Sequence, residues 1–342
     1  MAIDKAWADQ APEKALQPEL PICDPHHHLW LHRDGPHIRD LRYLVDDLAA
    51  DIGAGDGGHN IVATVFIECR ACYRAEGPAP MRPVGETEFV RGQAAIADSG
   101  GFGRTRIAAG IVGFADLLLG DGVTPVLEAH LEAGGGRFKG IRHSAGWDAD
   151  ERVRNSYTNP KPGQFLDASF RQGFRQLAPL GLSFEGWCYH PQLGELTDLA
   201  QAFPETPIVL NHFGGPLGIG PYRREAEFET WKASLSALAA CANVSVKLGG
   251  LQMDINGFGW HQRPAPPSSA ALAEAVWPYY AHAIDAFGVD RAMFESNFPV
   301  DRLSCGYTTI WNAFKRMAAT HGFSAADKAA LFHDTATRVY RL

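Results

Sequence analysis

The chain has 342 residues, a formal net charge of −8 and 46% apolar residues. That balance fits a globular enzyme and argues against nucleic acid or an anionic membrane surface as the main partner. No apolar run approaches a membrane span, and the polar stretch Met1 to Glu19 lacks the apolar core of a signal peptide, so a soluble cytoplasmic protein is expected. Residues 1–20 read as an extended N-terminal arm, and residues 21–342 as one continuous domain. In that domain short β-branched runs alternate with stretches of helical spacing. The strands are expected at Ile22–His28, Ile61–Cys69, Arg106–Phe114, Phe138–His143, Leu182–Tyr189, Pro207–Phe213, Val244–Leu248 and Ala292–Phe298. From the second strand on, helices are expected at Glu86–Asp98, Val123–Ala133, Gln164–Leu180, Gln192–Ala202, Arg224–Ala240, Ala270–Phe287 and Tyr307–His321, with Ala325–Val339 closing the chain. Eight such units in one chain point to an α/β fold, a single-domain (β/α)8 TIM barrel. An open doubly wound sheet would need a glycine-rich phosphate turn after the first strand, and Pro25-His26-His27-His28 stands there instead. Two Pro- and Gly-containing loops, 70–85 and 251–270, follow strands and would lie over the catalytic face. Six cysteines are scattered; Cys69-Arg-Ala-Cys72 has no second pair and reads as two reduced thiols.

Barrel chemistry sits at the carboxyl ends of the strands. Along a strand, residues two apart share a face, so His26 and His28 point one way. The second strand ends in Glu68 and Arg70, the fourth in Arg142 and His143, and the fifth in Trp187, Tyr189 and His190. Asn211-His212 ends the sixth, Lys247 lies in the seventh, and Glu295 and Asn297 end the eighth, with Asp301 beyond Pro299. One buried charge can be an ordinary ion pair, for which Glu68–Lys247 is a candidate; this many at strand ends point to a site. Histidines from the first, fifth and sixth strands can bind one divalent ion or poise a water, with a carboxylate from the eighth as ligand and general base. Arg142, Lys247 and Arg70 are cations suited to a substrate carboxylate or an oxyanion. No serine stands in a nucleophile elbow, which favours activated water over a covalent nucleophile.

The segments Asp24-Pro-His-His-His-Leu-Trp30, Gly140-Ile-Arg-His143, Pro191-Gln-Leu193, Val209-Leu-Asn-His-Phe-Gly-Gly-Pro216, Val246-Lys-Leu248 and Phe294-Glu-Ser-Asn-Phe-Pro-Val-Asp301 occur in one order from about residue 21 onward. Together they resemble the amidohydrolase-2 family of the amidohydrolase superfamily, in the branch of 2-pyrone-4,6-dicarboxylate lactonase and L-fuconolactonase. The resemblance implies a (β/α)8 barrel and hydrolysis, most often of a lactone. It implies that His26 and His28 are the paired first-strand histidines, that His212 is the sixth-strand histidine and that Arg142 holds substrate. His190 falls near the fifth-strand ligand slot. Asn297 stands where the wider family has an aspartate, and an amide neither takes a proton from water nor binds a cation as a carboxylate does. The branch holds metal-dependent and metal-independent members, so the resemblance leaves a divalent metal, zinc first, open, with Asn297 counting against it. Glu295 and Asp301 are the two carboxylates available.

The expected catalytic set is therefore His26, His28, His212, Glu295 and Asp301, with His26, His28 and His190 as the metal ligands. Glu68, Arg70, Arg142, His143, Trp147, Tyr189, Lys247 and Asn297 are expected to bind substrate, a small and anionic lactone. A homo-oligomer stays open. A non-oxidative decarboxylase or hydratase of the same superfamily, and a catalytically degenerate barrel that only binds a ligand, are the alternatives.

Overall fold

The computed structural model describes residues 3–32, 41–53 and 58–342. Eight parallel strands run in sequential order: β1 Ile22–His27, β2 Ile61–Ile67, β3 Arg106–Gly113, β4 Phe138–Arg142, β5 Ser183–Gly186, β6 Ile208–Leu210, β7 Val244–Leu248 and β8 Ala292–Phe294. Helices follow each in turn: α1 Val45–Ile52, α2 Val84–Ile96, α3 Thr124–Gly134, α4 Ala168–Phe174, α5 Leu193–Ala202, α6 Arg224–Ala239, α7 Ser269–Phe287 and α8 Tyr307–Thr320. This is the expected (β/α)8 barrel. One apolar layer lies between the strands and the helices, where Phe66, Ile141, Phe184, Leu210 and Phe294 meet Leu48, Val90, Leu127, Leu199 and Phe314. A second layer fills the barrel itself, with Val65, Ile67, Val112, Val209 and Met293 around Tyr340 from the C-terminal segment. That segment covers the amino end of the barrel, where the Lys139 ammonium donates to the Arg341 carbonyl at 3.3 Å.

The strands stop earlier than alternation predicts. β5, β6 and β8 lose two or more residues at their carboxyl ends; after β6 and β8 His212, Phe213 and Asn297 take left-handed backbone angles, φ +50°, +58° and +54°. A residue so placed turns the chain out of the ladder. α1 was not anticipated, although Val45, Leu48, Ala49 and Ile52 have helical spacing and are buried. The stretch Gln164–Leu180 is helical only over α4, flanked by single turns at Gln164–Leu166 and Ala178–Leu180. Asp167 starts α4 by accepting the Phe170 amide at 3.0 Å, and Pro179 has no N–H with which to extend it. The closing helix is likewise divided, into Ala325–Ala329, a wider turn Ala330–Asp334, and Thr335–Tyr340.

The N-terminal arm is fastened rather than loose. Trp7 is buried, and the Glu13 carboxylate accepts the Ser269 amide at 2.7 Å and the Asn312 side chain at 2.9 Å. Lys315 donates to the carbonyls of Leu16 and Gln17 at 2.7 and 2.8 Å.

The barrel closes beyond the end of β8. The His28 amide donates to the Phe298 carbonyl at 2.8 Å, and the Asn297 amide to the His26 carbonyl at 2.9 Å. Asp24 ties this seam: its buried carboxylate accepts the Ser296 amide at 3.0 Å, the Ser296 hydroxyl at 2.6 Å and the Tyr307 hydroxyl at 3.0 Å. Removing it leaves those donors buried without an acceptor. Asp24→Ala should therefore lower the unfolding free energy by about 3 kcal/mol in a denaturant titration; a loss below about 0.5 kcal/mol would contradict the role of this seam.

Candidate functional site

The polar residues at the carboxyl rim converge at the end of β1. His26 is its penultimate residue, Glu295 directly follows β8, and His212 opens the turn after β6. The chain after β7 yields space to both. A Cβ on Gly249 would come within 2.4 Å of Glu295, and one on Gly250, at φ +77°, within 2.4 Å of the His212 ring. Two glycines in succession are what this close approach demands.

Glu295 Oε1 accepts from His212 Nδ1 at 2.6 Å, and Oε2 lies 2.7 Å from His26 Nδ1. The His26 and His212 ring centroids are 4.5 Å apart. Cations stand on both sides of His26. The Lys247 ammonium is 3.4 Å from Nδ1, and Arg142 Nη1 is 3.4 Å from Nε2. Each cation has its own carboxylate. Lys247 pairs with Glu185 at 2.8 Å, and Arg142 Nε donates to Glu68 Oε1 at 2.7 Å. Arg142 Nη1 also donates to Asn211 Oδ1 at 3.2 Å, while the Tyr157 hydroxyl donates to Glu68 and the Tyr340 hydroxyl to Glu185. With those two pairs matched, Glu295 makes its short contacts with the two imidazoles, and Lys247 and Arg142 act on it from further off. Burial, the largest cause, pushes its carboxyl up to about 8, against the pull of Lys247. Burial likewise holds His26 and His212 well below the usual imidazole range, with Lys247 and Arg142 adding to the effect.

Two imidazoles and a carboxylate with donor atoms inside 4.8 Å of one another are a three-ligand set for a divalent ion. The alignment of the buried atoms agrees. Glu295 Oε2 lies beside His26 Nδ1 without a hydrogen bond between them, as expected of two donors turned toward a shared ion.

Residues 23–342 match the model of a family described as amidohydrolase. The chain belongs to the amidohydrolase family. It is 36% identical to protein y4mH of Sinorhizobium fredii over 340 residues, covering 95% of this chain and 99% of that one. It is 29% identical to an L-fucono-1,5-lactonase of Burkholderia multivorans over 238 residues, 69% of this chain and 72% of the relative. Among solved structures, an amidohydrolase from Burkholderia multivorans with bound zinc superposes with a TM-score of 0.69 at 26% identity, covering 94% of this chain and 99% of that one. The protein is accordingly a hydrolase of this family.

In this amidohydrolase several of the residues singled out in the sequence take other places. His190 stands apart from the cluster: its Nδ1 accepts the Leu217 amide at 3.1 Å and its Nε2 faces Glu227 at 3.4 Å, so both ring nitrogens are engaged and the ligand role expected for it lacks geometric support. The β8 carboxylate takes its place beside His26. His28 lies next to the cluster, its ring 4.9 Å from that of His26 and its Nδ1 2.7 Å from the Ile67 carbonyl, outside the three-donor set. Asn297 does not share a face with Glu295, because its left-handed backbone turns it to donate to Asp301 at 2.7 Å. Asp301 is buried behind that amide, outside the three-donor set, with its carboxyl held well above the usual range. Burial is the main cause.

Glu68 pairs with Arg142 instead of Lys247. Arg70 leaves the face of Glu68 at φ +63° and, with His143, lines a neighbouring cavity. The Tyr189 hydroxyl donates to the Arg154 carbonyl and the ring is buried. Half-buried Trp147 has its amide bound by Gln192 at 3.2 Å. Trp187, not Tyr189, is the aromatic on the cluster, edge-on to His212 at 4.9 Å.

Glu185, Tyr157 and Tyr340 were not foreseen. Glu185 was legible as a charge inside an apolar strand, two residues before Trp187. The two tyrosines lie in a loop and in the last turn of the chain, where no periodicity marks them. The pairing of Lys247 with Glu185 is testable on its own. Lys247→Met should cost about 3 kcal/mol of stability by leaving Glu185 buried and unpaired, and adding Glu185→Gln should recover part of it in a double-mutant cycle. Equal costs for the single and double variants would contradict the pair.

Proposed function

We propose that the protein opens the lactone ring of a small carboxylated compound by attack of water, using a divalent ion held by His26, His212 and Glu295. The observation that carries this reading is the buried Glu295 carboxylate set between two imidazoles, with Arg142 and Lys247 each 3.4 Å from His26. The lactonase relatives and the zinc-bound amidohydrolase support the reaction class and the choice of zinc. Such an ion supplies Lewis-acid activation of the water and of the ring carbonyl.

The chain's own residues do the rest. The attacking water gives its proton to the Glu295 carboxylate, which the His212 Nδ1–H holds in place at 2.6 Å. Arg142 Nη1, already turned toward His26, faces the carbonyl oxygen as negative charge develops on it. Glu68 and Asn211 fix the guanidinium for that task. The ring C–O bond then breaks, and the leaving oxygen takes the proton back from Glu295. Water and lactone become a hydroxy acid, and no covalent enzyme intermediate forms. Trp187 on His212 shields one side from bulk water.

On a panel of carboxylated γ- and δ-lactones, His212→Ala and Glu295→Gln should each lower kcat/KM about a thousandfold with the fold retained by circular dichroism. A ligand-binding barrel without catalysis would show no turnover in the parent protein. Elemental analysis should find about one zinc per chain in the parent protein and in His190→Ala, and almost none in His26→Ala or Glu295→Gln. Zinc lost from His190→Ala, or kept by Glu295→Gln, would contradict the donor set.

A further inference from the structure

Beyond Glu68 the barrel mouth opens on a cavity of about 910 Å3 between the loops that follow β2 and β4. Three side chains link it to His26. Tyr157 lines the cavity, its hydroxyl donates to Glu68, and Glu68 holds the arginine that faces His26. A single lactone ring would leave most of this space unfilled, and the volume is that of a pocket for a larger ligand.

Its walls have two characters. Tyr73, Phe114, Leu118 and Leu166 give an apolar side, and Leu118 and Leu166 remain 43% and 50% exposed although they face a concave surface. Single exposed leucines are ordinary; two lining one cavity with aromatic rings form a surface for an apolar ligand. The other side is cationic. Arg70 and Lys161 line it, and among the described residues neither has a hydrogen-bond or ion-pair partner. The nearby acids are already engaged, Asp116 with the Leu118 amide at 3.0 Å and Asp167 with the Phe170 amide at 3.0 Å. The Tyr73 hydroxyl is buried and also lacks a partner among the described residues.

Arg70 is built into this position. The buried Glu86 carboxylate of α2 accepts the amides on both sides of it, Cys69 at 2.9 Å and Ala71 at 2.7 Å. That clamp holds Arg70 at φ +63°, an uncommon backbone for a residue with a side chain, and keeps it exposed at the cavity. Strain of this kind persists where the surroundings impose it, and it is concentrated at functional sites.

We propose that this cavity is a specificity subsite, and that the substrate carries an aromatic or extended apolar arm ending in a carboxylate, with the arm on Tyr73, Leu118 and Leu166 and the carboxylate on Arg70 and Lys161. The proposal rests on the lactonase reading for the reaction, but not for the binding. The lactone ring reaches His26 past Tyr157, while the arm stays outside the buried cluster. A compact polyhydroxylated lactone would leave the apolar wall uncovered and the two cations unmatched.

Calorimetric titration of the full-length protein with hydrocinnamate, a phenyl ring on a short chain ending in a carboxylate, tests the site without needing turnover. Hydrocinnamate should bind about tenfold more tightly than propanoate, which lacks the ring. Leu166→Trp, which fills the cavity, and Lys161→Met, which removes a cation, should each weaken hydrocinnamate about fivefold at unchanged unfolding temperature. No binding at millimolar concentration, equal affinity for the two acids, or variants that bind as the parent does would overturn the subsite. The expected pattern in a protein that opens no lactone would support the subsite and overturn only the reaction.

Discussion

A carboxylate buried at the seam of the barrel sets the terms for everything around it. Glu295 is fully enclosed, and an enclosed charge is tolerated only with partners of the right sign at short range. The chain meets that demand by drawing one polar group from nearly every strand end: His26 from β1, Glu68 after β2, Arg142 from β4, Glu185 from β5, Asn211 and His212 after β6, and Lys247 from β7. Arg142 joins Glu68, Asn211 and His26, Glu185 joins Asn211 and Lys247, and Glu295 joins His26 and His212. Shifting one strand by a residue would leave a charge unmatched in a low-dielectric interior, so the network fixes the register of the strands as well as the geometry of the site.

The same demand explains the local irregularities. Short strands, left-handed residues at His212 and Asn297, and the Gly249-Gly250 pair let side chains from β6 and β8 meet over the end of β1. Closure by Asp24 and Ser296 at the seam holds β1 and β8 together where His26 and Glu295 must touch. At the other end of the barrel, the C-terminal segment fills the interior and sends Tyr340 up to Glu185, so the network is supported from the amino end of the barrel as well as from its rim.

Much of this was legible in the sequence, for a physical reason. Parallel strands buried on both faces, each followed by an amphipathic helix, leave a repeating pattern that composition alone can carry, and the histidines and acids at strand ends stand out against apolar runs. Three features were not legible. Alternation assumes an extended backbone, so it placed Asn297 beside Glu295 and Arg70 beside Glu68, whereas left-handed angles at both residues turn them away. Ion pairing across the barrel depends on three-dimensional order rather than spacing, so Glu68 was matched with Lys247 when Arg142, 74 residues distant, is its partner. His190 looked like a fifth-strand ligand, yet β5 ends at Gly186 and the chain has turned toward α6 before His190 is reached. Two residues before Asn297, the same segment brings the Glu295 carboxylate between His26 and His212.

The account stands or falls on where a divalent ion sits. Anomalous diffraction at the zinc edge from zinc-loaded crystals tests this most directly. The account predicts one peak, about 2.0–2.2 Å from a ring nitrogen of His26, a ring nitrogen of His212 and an oxygen of Glu295. A peak centred on His28 or His190 without Glu295, or no peak in the barrel mouth, would contradict it.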